Sequence, residues 1–140
     1  IIINKLKQRG IITHTVAEVV ADLRARGVKK IALQSLHVAP GQEHNSILKA
    51  DTSGLQVAFG DALMTSDADI EATIAALAPE INADQDTVVV AHGNDHHPEF
   101  NVQLEKFATA IEARYPQLTV ASVEGTPGTD SLETVKARKT

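Results

Sequence analysis

The 140 residues include no cysteine, no tryptophan and a single tyrosine. Without cysteine there is no disulfide, no thiolate metal ligand and no cysteine nucleophile. No apolar run approaches the roughly 20 residues that cross a bilayer, so no membrane span is expected. Acidic residues outnumber basic ones by 18 to 13, for a formal charge of −5. With neither a basic block nor a run of stacking aromatics, the chain has no footprint for nucleic acid. The dinucleotide fingerprint G-x-G-x-x-G, the phosphate loop G-x-x-x-x-G-K-[ST] and the nucleophile elbow G-x-S-x-G are all missing. Their absence argues against hydride transfer, nucleotide transfer and the common hydrolase chemistry.

What the chain has is an alternation of helical and strand patterns. Its length suits one domain with a real core. Thr13–Arg26 carries Val16, Val19, Val20 and Leu23 at helical spacing, with Gly27 as the stop. Strand patterns follow at Ile31–Leu36, within Gly54–Met64, at Thr87–Ala91 and at Leu118–Val123. Between them, helical patterns are expected at Gln42–Ala50, after the Ser66 N-cap, and from Phe100 to about Tyr115. This order predicts an α/β fold, an open parallel sheet flanked by helices, with right-handed crossovers. Thr87–Ala91 is almost wholly apolar, as a strand covered on both faces should be. Ile1–Gly10 reads as the end of an apolar helix closed by Gly10, and Asp130–Thr140 as the start of another. With no initiating Met, the chain is expected to be the middle of a longer protein.

The stretch with most chemistry is TVVVAHGNDHHPEF at 87–100, which holds three of the six histidines. Four parallel strands would deliver His37, Asp61, His92 and Glu124 to one carboxyl edge, where open α/β sheets bind ligands. An imidazole and a carboxylate there can bind a divalent metal or move a proton. Each residue also has a purely structural reading. His92 can hydrogen-bond a loop carbonyl, with Gly93 chosen for its backbone angles, and Glu124 can cap the turn at Gly125. Partial burial of Glu124 would instead raise its pKa and suit it to accept a proton. His96 and His97 read as solvent-facing loop and His37 as a partly buried, satisfied imidazole. His44 reads as ordinary surface, although an accessible imidazole can serve as an axial haem ligand.

Three motifs, SLHVAPGQEH at 35–44, VVVAHGNDHHPEFN at 88–101 and SVEGTPGTD at 122–130, together resemble the anaerobic-type cobalt chelatases that act on sirohydrochlorin in cobalamin biosynthesis. These are class II tetrapyrrole chelatases, related in fold to ferrochelatase. The resemblance covers nearly the whole chain and the motifs fall in the family's order. It implies a two-lobed, chelatase-like full-length protein, with residues 1–124 forming most of the first lobe and 125–140 opening the second. It also implies a metal site using the histidine of the HG motif and the glutamate of the VEG motif, here His92 and Glu124. The family's third ligand, a histidine in a later GDHxxND motif, has no counterpart in these residues. The substrate metal would be Co²⁺, with Fe²⁺ and sirohaem synthesis as the close alternative. A non-catalytic tetrapyrrole or metal carrier is the alternative of another class. Sirohydrochlorin bears eight carboxylates, so backbone amides near 125–128 and at helix starts would help receive it. Family members form homo-oligomers, to which residues 13–26 or 42–50 would contribute, with haem held between subunits by His44 as an extension. Cytoplasmic and periplasmic locations both remain open on this reading.

Overall fold

The structure is a computed structural model that describes residues 2–133 and 135. The chain separates into two compact units, Ile1–Ser35 with Gln42–Asp61, and Leu36–Gly41 with Ala62–Thr140.

The first unit holds helices α1 (Ile2–Gln8), α2 (Val16–Ala25) and α3 (Gln42–Leu48) and strands β1 (Lys30–Gln34) and β2 (Gln56–Gly60). Local signals set most of these limits. Gly10 closes the turn after α1 at φ +75°, and its N–H donates to the carbonyl of Lys7 at 2.9 Å. α2 starts with a reciprocal capping box. The Glu18 N–H donates to the Thr15 hydroxyl at 3.1 Å, and the Thr15 N–H donates to the Glu18 carboxylate at 2.8 Å. Two otherwise orphaned helix-start donors are satisfied together. β1 and β2 pair in parallel from Lys30 opposite Gln56 to Gln34 opposite Gly60.

The second unit carries α4 (Asp67–Leu77), β3 (Thr87–Gly93), α5 (Val102–Arg114) and β4 (Leu118–Glu124), with single 3₁₀ turns at Ala78–Glu80, Pro98–Phe100 and Thr129–Ser131. Ser66 and Asp69 form a second capping box at the start of α4. Ile70 and Ile74 from α4, Leu104, Phe107 and Ile111 from α5, and Leu118 and Val120 from β4 make one buried cluster with Met64. Burying each large aliphatic side chain of this kind contributes roughly 1.5–3 kcal/mol. β3 and β4 pair in parallel, with Thr87 opposite Leu118 and Gly93 opposite Glu124.

The fold is thus α/β with open parallel sheets flanked by helices. Two expectations change. Among the described residues the strands form two parallel pairs, β1–β2 and β3–β4, in place of one four-stranded ladder. β3 is also not covered on both faces. Val89 and Ala91 pack on the core, while Val88 and Val90 are 41% and 63% exposed. A continuous apolar run states that both faces suit burial, and carries no information about what covers them. Of the helix expected at Asp130–Thr140, residues 134 and 136–140 lie outside the described residues. No helix among the described residues is long and apolar enough to cross a membrane.

Candidate functional site

His92 is the penultimate residue of β3 and Glu124 the last of β4. Neighbouring parallel strands therefore bring both to one carboxyl-terminal edge, with His92 exposed and Glu124 half-buried. The register adds a detail that spacing does not reveal. Ala91 lies opposite Ser122, and Gly93, not His92, lies opposite Glu124. Because successive side chains alternate between faces, Glu124 shares the face of Val120 and Ser122, against which α5 packs. His92 belongs with Val88 and Val90 on the other face. The two groups are neighbours along the edge but approach it from opposite sides of the sheet.

The strand ends are packed backbone against backbone. Gly93 sits at φ +71°, and a Cβ there would lie 1.8 Å from the Glu124 carbonyl oxygen. Gly125 has the same φ, and a Cβ on it would lie 2.5 Å from the Asn94 carbonyl oxygen and 2.6 Å from Asn101 Nδ2. Asn101, only 2% exposed, donates from Nδ2 to that Asn94 carbonyl at 2.7 Å. After Glu124 the chain folds back, so that the Ser122 N–H donates to the Pro127 carbonyl at 2.6 Å. The Thr126 hydroxyl hydrogen-bonds the Glu105 carboxylate.

The other histidines divide by position. His96 and His97 are exposed. The His96 ring lies 3.6 Å from Asp95, and His97 Nδ1 is 3.2 Å from the Glu99 carboxylate. They face solvent, as their loop setting suggested. His37 is half-buried in the segment 36–41 of the second unit, whereas Asp61 is exposed at the end of the first. His44 departs from its expected surface position, being 4% exposed. α3 has only seven residues, and His44 stands one turn before the half-buried Ile47, on its inward side. An axial haem ligand needs a ring nitrogen open to the iron, so haem coordination by His44 does not fit this arrangement.

Among the described residues no group of three or more His, Cys, Asp or Glu side chains is placed to hold a metal ion. A cavity of about 520 Å³ between α4 and α5 is a separate feature, lined by residues such as Ile70, Val102 and Lys106 and by none of the strand-end groups. Asn101 is the structural contributor that sequence reasoning missed; at Gly93 the special backbone angle was expected, and the close approach to Glu124 is what the structure adds. Asn101 falls inside the helical pattern expected from Phe100, and nothing local signals that its side chain makes a tertiary bond.

A family model described as cobalt chelatase (CbiK) matches residues 1–140. The chain belongs to the cobalt chelatase family. It is also 32% identical over 141 residues to a sirohydrochlorin cobaltochelatase of Salmonella typhimurium, an alignment covering 94% of this chain and 52% of that protein. The chain therefore spans about half the length of this relative. In cobalt chelatase terms, the HG and VEG motifs of this chain fall at the ends of two adjacent parallel strands, the edge at which an α/β sheet presents its chemistry.

Proposed function

We propose that the chain carries part of a site that inserts Co²⁺ into sirohydrochlorin, with His92 as a metal ligand and Glu124 as a ligand or proton acceptor. The observation that supports this reading is an exposed imidazole and a half-buried carboxylate at neighbouring strand ends in a chain of the cobalt chelatase family. Imidazole suits a borderline divalent ion such as Co²⁺. With His92 one residue before the end of β3 and Glu124 the last of β4, an ion seated just beyond the edge would be approached by one group from each face. Insertion replaces two pyrrole N–H protons by one divalent ion, so two protons must leave as the metal sheds its waters. A carboxylate beside the ion takes each proton in turn and passes it to solvent. A cleft that bends the macrocycle would turn nitrogen lone pairs toward the ion, using binding energy to strain the substrate. A third donor would come from chain beyond these residues, in a two-lobed protein whose first lobe is largely residues 1–124. Such a protein is expected to assemble as a homo-oligomer, which light scattering on the purified protein checks.

The test is anaerobic spectrophotometry of sirohydrochlorin with the full-length protein and Co²⁺ or Fe²⁺, beside His92→Ala and Glu124→Ala. Catalytic loss of the metal-free spectrum that both substitutions abolish supports the assignment. Faster turnover with Fe²⁺ makes the enzyme a ferrochelatase. Saturable tetrapyrrole binding without turnover makes it a carrier, and insertion that survives His92→Ala removes His92 from the site.

A further inference from the structure

Asn101 stands at the N-cap of α5, where a side-chain oxygen ordinarily accepts a hydrogen bond from the first helical turn. Here it makes no such bond, and its backbone is already helical at φ −83°, ψ −11°. The carboxamide is instead directed into the protein and is 2% exposed. Its Nδ2 donates to the carbonyl of Asn94, two residues past His92, at 2.7 Å. The same nitrogen lies against Gly125, the residue after Glu124, so closely that a Cβ there would come within 2.6 Å of it. One buried amide therefore bonds the backbone two residues past His92 and lies beside the residue that follows Glu124. The 3₁₀ turn Pro98–Phe100 runs straight into α5 and ends on Asn101, which leaves the side chain free for the tertiary bond.

We propose that Asn101 is a positioning residue that sets the separation of His92 and Glu124. The inference rests on the chelatase reading of those two residues. Asn101 does not touch the ion. It hydrogen-bonds the Asn94 carbonyl and packs beside Gly125, and so acts on the loop after each strand end. Outer groups that orient metal ligands typically govern metal affinity rather than binding of the organic partner. Its effect should accordingly appear in Co²⁺ affinity and leave the tetrapyrrole untouched.

The informative substitution is Asn101→Asp, which keeps the size of the side chain but replaces the donating NH₂ by an oxygen that the Asn94 carbonyl repels. Leu104→Ala is the comparison, since Leu104 is a buried residue of the same helix and its truncation lowers stability without touching the amide. In the full-length protein, Asn101→Asp should raise the KM for Co²⁺ and weaken Co²⁺ binding by titration calorimetry, without tetrapyrrole, by about 10- to 100-fold. The KM for sirohydrochlorin should stay unchanged, and adding Asn101→Asp to His92→Ala should cost nothing beyond His92→Ala alone. Leu104→Ala should lower the melting temperature and leave both KM values in place. Unchanged Co²⁺ affinity in a folded Asn101→Asp protein overturns the inference, as does an equal rise with Leu104→Ala. If His92→Ala itself leaves Co²⁺ insertion and binding intact, the functional reading fails first, and that result is distinct from either.

Discussion

Replacing Gly93 by alanine tests the packing of the strand ends directly. At φ +71° an L-residue pays the left-handed penalty, about 1–2 kcal/mol. The added methyl would also stand 1.8 Å from the Glu124 carbonyl oxygen and 2.8 Å from Ser122 Cβ, neither of which is the flexible end of a side chain. Relieving such an overlap requires β3 and β4 to part, and overpacking of this kind costs about 1–3 kcal/mol. The sum is a loss of about 2–5 kcal/mol. Gly54 separates the two contributions, because its φ of +75° is nearly the same and nothing lies within 4 Å of its Cβ position. Gly54→Ala should therefore lose only the backbone share, about 1–2 kcal/mol. Urea unfolding of both variants measures the difference, and Co²⁺ insertion should fall with Gly93→Ala alone. Equal destabilisation at the two positions, with insertion unchanged, would refute the close approach of Gly93 to Glu124 and the argument built on it.

Ile111, 0% exposed at the centre of the second unit's core, should lose about 2–5 kcal/mol on Ile111→Ala, measured by denaturant titration; a loss below 1 kcal/mol would contradict the packing. Asp69 gives a pH dependence. The Thr65 hydroxyl first, then the Ser66 hydroxyl and both backbone N–H groups, hold its carboxyl down from the ordinary 3.8 to about 2. A carboxylate favoured in the folded state contributes stability above its unfolded pKa, and that contribution disappears as the pH falls from about 4 through about 2. Asp69→Asn should flatten the acid limb of the melting-temperature profile over that interval. An unchanged limb would show that the cluster does not bind the charge. Ser66→Ala, which removes the N-cap hydroxyl from the same box, should cost about 1 kcal/mol in thermal unfolding.

Much of the local structure was legible in the residues themselves. The helix expected over Thr13–Arg26 is observed at Val16–Ala25, because Thr15 with Glu18 and then Gly27 are punctuation that acts within a turn of chain. The same holds for Ser66 with Asp69 before α4 and for Gly10 after α1. The motifs at 35–44, 88–101 and 122–130 pointed to the cobalt chelatase family, whose model matches residues 1–140. The exposure of Val88 and Val90 and the burial of His44 were not legible, since each depends on which surface meets the residue.

Register was the largest gap between sequence and site. Both His92 and Glu124 could be placed at strand ends from hydrophobic pattern alone. Their parity could not, since a one-residue shift between strands moves every side chain to the other face. Only the pairing of Gly93 with Glu124 places the two groups on opposite sides of the sheet. Sequence determined the helix limits and the residues available for chemistry, because caps, glycine stops and apolar spacing act over a few residues. Tertiary structure alone decided the faces, the burial of His44 and the bond from Asn101 to Asn94. Those depend on contacts between segments whose mutual alignment no local pattern encodes.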